Sequence, residues 1–430
     1  ANFNRMARDP QFMAAPNEHV GLFSDHGVVH ARDIASQILT VLANCHGVLI
    51  PRRSSQRLAF MQGCGVLLAY FHDIGMSDFS VFGRSMHPEF AAQAVFDPAL
   101  DDLIAAIWSE NSGGLAWRLR TLADEGLIPQ EPQMMLREIL SLSICHSKSK
   151  IPVALLNDPI HLRDKMIEVI TTDLRWLYAQ QQLNSQAQES ETSGQKAERQ
   201  PNPKIGRFSH LFPDQAFLWL IDDHPVLKSL EEDVTDTLRA LRAADALRQR
   251  GSAQVTSGGY PVFVDRTTGS NVYALRLEEN QLYLLAAPNI IGAGEANIAS
   301  SELEPSGDLR ISFHRGSFSA PGATENAAHT AAFVLYDIQR DIIRSFIRTA
   351  NDPALRPASE LLILLEETDD NPSFAQQVQT ELRLLDPEVA NRVRLKPSLM
   401  NADPLERDRY LAAEPLNWGL QTRRELLARV

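Results

Sequence analysis

Cysteine is scarce in this chain: Cys45, Cys64 and Cys145 are the only three in 430 residues. Scattered and odd in number, they make neither a disulfide framework nor a CxxC-type zinc cluster, and a reducing cytoplasm is the expected compartment. Long apolar runs are missing as well. The longest clean one, GVLLAYF at 65–71, falls far short of the roughly 20 residues that span a bilayer, so no membrane helix is expected. The opening stretch ANFNRMARDPQFMAAP has no apolar core of the secretory-signal kind. Positive charge is in deficit, with 41 Lys and Arg against 54 Asp and Glu and a net charge of −13. Tracking along nucleic acid needs a basic surface that displaces counterions, so that class is disfavoured. A small anionic substrate held in a local basic pocket is not.

What is present is the composition of a globular protein, 44% hydrophobic and 22% charged, in a chain long enough for two or three domains. Residues 20–180 read as mostly helical, with apolar positions at helical spacing in DHGVVHARDIASQILTVLANC, SQRLAFMQGCGVLLAYF, DDLIAAIWS, EPQMMLREILSLSIC and LRDKMIEVITTDLRWLYAQQ. PEFAAQAVF at 88–96 reads as a further helix with Pro88 at its first position. Residues 180–206 contain almost no aliphatic side chains and predict a flexible insertion. Helical periodicity returns in PVLKSLEEDVTDTLRALRAADALRQRG, ending at Gly251.

From 252 the period changes. YPVFVDRTT, NVYALRLEENQLYLLAAP and DLRISFHR are short β-branched and aromatic runs between turn signals. ATENAAHTAAFVLYDIQRDIIRSFIRTA and PSFAQQVQTELRLL predict helices, ELLILLEET a buried strand, and RVRLKPS a further strand. The expected architecture is multi-domain: an all-α domain over 1–250, then an α+β accessory domain over 251–430, subdivided at 350. GGY and GAGEAN lack the strand-before, helix-after context of a phosphate-cradling loop.

The chemistry lies in the helical half. AYFHDIGM at 69–76 sets His72 beside Asp73 at the end of an apolar helix. Burying two ionisable groups there is costly unless something compensates them, and a metal ion is the first candidate. His26 and His30 stand four apart in SDHGVVHARDI, on one helix face. His87 precedes a helix start, His146 ends LREILSLSIC, and Asp245 lies between Arg242 and Arg248 in LRALRAADALRQRG. Manganese, iron, cobalt and zinc accept such mixed imidazole and carboxylate ligands without cysteine, and ligands from separate helices can converge on one centre. Singly, a histidine in a helical protein is more often a hydrogen-bonded core or surface residue than a ligand, and Asp245 taken alone reads as a surface aspartate paired with Arg242 or Arg248.

Together these residues resemble the HD superfamily of metal-dependent phosphohydrolases, whose pattern is a histidine, a His-Asp pair and a distant aspartate on helices. The resemblance covers roughly residues 20–250 and rests on HARDI, AYFHDIGM and LRAADALR. It implies an HD-type helical domain with His30, His72, Asp73 and Asp245 as primary ligands, Asp222 or Asp223 standing as substitutes for Asp245. DHGVVHARDI also looks like the opening of the cyclic-nucleotide phosphodiesterase branch, which makes His26 the candidate general acid. HPEFAAQAVF is similar to a segment of the HD-GYP and dinuclear branches, although the GYP triplet is absent. That likeness implies His87 and His146 as ligands of a second ion, with Asp73 bridging the pair.

The function so implied is hydrolysis of a nucleotide or other small anionic phosphoester with one or two divalent ions (Mn, Fe, Co, Zn or Mg). Asp73 and Lys148 join His26 as catalytic groups, and Lys148, Lys150, Arg242 and Arg248 are the candidate phosphate-binding cations. Two alternatives remain at this level: an HD-type di-iron oxygenase, and a non-catalytic signalling or scaffold module whose accessory domain mediates regulation or homo-oligomerisation.

Overall fold

The computed structural model describes residues 28–75, 81–110, 113–127, 132–148, 150–169, 224–247, 262–265, 270–278, 281–287, 298–313, 324–348, 352–366 and 373–396. These are mostly helical, with a four-stranded mixed sheet and a separate three-stranded sheet. The expected insertion at 180–206 lies outside them.

Two compact units divide the chain. One comprises Ala1–Ser54, Phe79–Val81 and Arg239–Val430; the other comprises Ser55–Asp78 and Phe82–Leu238. We call them the mixed and the helical unit.

The helical unit is built on α2 (Ser55–Phe71), α3 (Val81–Ala94), α4 (Asp101–Glu110), α5 (Gly114–Asp124) and α6 (Pro132–Ser141). α1 (Val28–Asn44) belongs to the mixed unit, and α7 (Pro225–Ala246) runs from the helical unit into the mixed one. α2 buries Phe60, Met61, Cys64, Leu68 and Phe71. It meets α5 closely enough that a Cβ on Gly114 would stand 2.6 Å from the carbonyl carbon of Ala59, so glycine is required there. Asp233 of α7 is fully buried and is compensated by the Arg57 guanidinium of α2, with nitrogen–oxygen distances of 2.6, 2.9 and 3.0 Å. All three cysteines are buried and free, and burial pushes the Cys45 and Cys64 thiols far up, out of reach of physiological ionisation.

α3 departs from expectation. It begins at Val81, not at Pro88, so the proline stands inside the helix. Proline cannot donate its backbone N–H, and its ring crowds the carbonyl four residues back, which weakens the turn that carries His87. The helix continues beyond the proline, where Ala91 and Ala92 are fully buried.

In the mixed unit, strands β1 (Val262–Asp265), β2 (Ser270–Glu278) and β3 (Gln281–Ala287) form an antiparallel meander. β4 (Ile298–Leu303), β5 (Leu309–Phe313), β6 (Ile363–Glu366) and β7 (Val393–Lys396) form the second sheet in sequence order. β4 pairs antiparallel with β5, while β5, β6 and β7 run parallel, Arg310 facing Leu364 and Leu365 facing Leu395 in register. α8 (Thr324–Ser345) crosses from β5 to β6, and α9 (Phe374–Leu385) with the short α10 (Pro387–Asn391) from β6 to β7, as parallel neighbours demand. Every residue of β6 is buried, which accounts for its unbroken apolar run. α1 packs on this sheet: Asn44 donates to the Leu303 carbonyl at 2.6 Å.

Candidate metal centre

The centre lies in the helical unit, where α2 stops. His72 continues the last turn, its N–H bonded to the Leu68 carbonyl at 2.8 Å, and Asp73 follows in the turn. His87 comes from α3, and His146 closes a 3₁₀ turn (Leu142–His146) that tightens the end of α6.

Two histidines are oriented by the same means. His72 Nδ1 lies 2.7 Å from the Ala69 carbonyl oxygen, and His146 Nδ1 lies 2.7 Å from that of Ser143. The Ala69 carbonyl belongs to the last turn of α2, and the Ser143 carbonyl to the 3₁₀ turn itself. A carbonyl only accepts, so each Nδ1 carries a proton, and Nε2 is the ring atom turned toward Asp73.

Those Nε2 atoms converge on the Asp73 carboxylate. His72 Nε2 is 3.1 Å from Asp73 Oδ2, and His146 Nε2 is 3.7 Å from Asp73 Oδ1. His87 Nε2 is 3.3 Å from Asp73 Oδ1 and 3.1 Å from His146 Nε2. The His72 and His146 rings stand edge to face with centroids 4.9 Å apart. Side-chain exposure is 1% for His72, 8% for Asp73 and His146, and 17% for His87. A buried carboxylate among three imidazoles is costly unless ring N–H donors or a cation compensate its charge. Asp73, His87 and His146 each offer a ligand atom within 4.8 Å of the others, a grouping that could hold a metal ion. Imidazole with carboxylate suits manganese, iron, cobalt or zinc.

Glycine makes the approach of the two ligand segments possible. A Cβ on Gly75 would lie 2.2 Å from the His87 carbonyl oxygen and 2.5 Å from the Ala91 nitrogen. The loop carrying Asp73 therefore rests directly on the backbone of α3 at His87.

The other residues singled out from the sequence fall as follows. His30 is buried in the first turn of α1 and Asp245 is half-buried near the end of α7; both belong to the mixed unit. Arg242 is 2% exposed. Lys148 is exposed in the turn after His146. Lys150 is engaged: its Nζ is 2.7 Å from a carboxylate oxygen of Glu89, which is fully buried. His26, Arg248, Asp222 and Asp223 lie outside the described residues. Sequence reasoning missed Glu89 and Gly75. The one signal for Glu89 was a lone carboxylate in the apolar run FAAQAVF that His87 introduces.

Among the described residues no helix is long and apolar enough to cross a membrane. No protein-family model, no curated protein and no solved structure matches this chain.

Proposed function

We propose that the helical unit is a metal-dependent phosphohydrolase of the HD type acting on a nucleotide or other small phosphoester. The observation that carries this reading is the convergence on Asp73: two imidazoles oriented through Nδ1 by backbone carbonyls, with Nε2 of each turned toward one buried carboxylate. That arrangement fits a cation better than it fits an empty core. A divalent ion held there supplies Lewis-acid activation of water and neutralises charge on a phosphoryl group.

The chain's own groups divide the work. Asp73 presents one oxygen toward His72 and the other toward His87 and His146, so its two oxygens suit a bridging role between two ions. His87, at 17%, is the most exposed of the four. Lys148, exposed two residues beyond His146, is the cation best placed to meet a phosphate. His26 is the candidate proton donor to the leaving oxygen by the resemblance, which also assigns His30 and Asp245 to the ligand set.

Metal content of purified protein, measured by elemental analysis on the wild type and on Asp73→Ala, tests this. Manganese, cobalt or zinc in the wild type, lost in the variant, with metal-dependent cleavage of a nucleotide phosphoester panel, is the expected result. Iron with oxygen consumption would replace the hydrolase by an oxygenase. A metal-free protein that takes up none on addition would leave a binding module.

A further inference from the structure

We propose that the buried Glu89–Lys150 ion pair is a positioning device that holds His87 against His146 and thereby sets occupancy of a second metal ion; this rests on the metal-centre reading above. The pair joins the two segments that supply those ligands. Glu89 stands two residues after His87 on α3, and Lys150 four residues after His146. The carboxylate is fully buried and the ammonium is 19% exposed, with 2.7 Å between nitrogen and oxygen.

The site of the tie has a physical reason. Pro88 lies between His87 and Glu89 and removes a helical hydrogen bond at the turn that presents His87. Helix geometry alone therefore holds His87 less firmly than it would in an unbroken helix. Anchoring the next residue to the segment that follows His146 restores the constraint from outside. Two apolar side chains in those places would contribute comparable stability, because desolvation offsets most of a buried pair's attraction. They would not fix a distance or a direction as an ion pair does. His87 Nε2 and His146 Nε2 stand 3.1 Å apart, close enough that a small slide of α3 would change which ligands can share an ion. Glu89 and Lys150 touch no substrate in this account and act only through the two histidines.

The decisive experiment uses the full chain with manganese as the probe, comparing wild type, Lys150→Arg, and the double variant Glu89→Gln/Lys150→Met. The double variant removes both charges of the pair together, and the circular dichroism comparison keeps loss of folding separate from loss of positioning. Equilibrium dialysis should give about two equivalents for the wild type and for Lys150→Arg, and about one for the double variant. Electron paramagnetic resonance should show a coupled manganese pair in the first two and the six-line spectrum of an isolated ion in the double variant. Circular dichroism should show the same helix content in all three. Two equivalents and a coupled spectrum in the double variant would overturn the positioning role and leave the metal centre intact. One equivalent or none in the wild type would remove the second metal site itself, and this inference with it.

Discussion

Gly75 presses on the backbone of His87: a Cβ at that position would come within 2.2 Å of the His87 carbonyl oxygen. Helical backbone cannot yield as a flexible side chain does, so Gly75→Ala must part the Asp73 loop from α3. We expect a loss of about 2 kcal/mol in urea unfolding, within the range for overpacked sites. Bound metal should fall in the same variant, and elemental analysis of protein refolded to full helix content checks it.

Arg57 and Asp233 form a pair whose carboxylate is fully buried, with Arg118 standing farther off at 3.8 Å. Arg57→Met should cost about 3 kcal/mol, because it leaves most of that charge uncompensated. Arg57→Met with Asp233→Leu should recover the greater part of the loss. A double-mutant cycle in urea measures the coupling, and additive single effects would show that the pair is not coupled.

Glu231 is half-buried, and burial pushes its carboxyl up from 4.5 to about 7, with Lys228 opposing and Glu232 adding to the rise. A carboxyl raised on folding binds more protons in the native than in the unfolded chain. Its contribution is therefore complete below about pH 4.5 and is lost as pH climbs through about 7. Glu231→Gln should abolish that decline and be the more stable protein at pH 8, by about 1 kcal/mol after discounting for solvent screening. Urea midpoints of both proteins at pH 5 and pH 8 give the comparison.

Arg310, 2% exposed, holds Glu302 at 2.6 Å, Glu366 at 3.1 Å and Glu304 at 3.4 Å. Burial already raises the Glu302 carboxyl, and Arg310 is what opposes the rise. Arg310→Leu should destabilise the mixed unit by about 3–5 kcal/mol at neutral pH. Without the guanidinium the Glu302 carboxyl should rise further, so the variant should regain stability on acidification toward pH 5. Unfolding the variant at pH 5 and at pH 8 checks the sign; equal loss at both would place the defect in packing.

Much of the local structure was legible. The unbroken apolar run ELLILL yielded β6, buried on both faces, and the periodic stretch from Thr324 yielded α8. β4 was not read, because IASSEL is rich in serine and carries its burial only through its pairing with β5. Local propensity places a helix start at Pro88, whereas the helix runs from Val81 to Ala94 with the proline inside it.

The sequence by itself determined the chemistry available: which imidazoles and carboxylates exist, that His72 and Asp73 end an apolar helix, and that His146 ends another. Side-chain type and helical period are local properties, so a linear reading reaches them. Only the tertiary structure decided that His87 meets His146 across 59 positions of chain. It alone made Lys150, a candidate phosphate-binding cation by sequence, the partner of Glu89, and laid Gly75 on the carbonyl of His87. Such contacts depend on how helices of equal apolarity pack, and that is set by steric fit and buried charge between segments far apart in the chain.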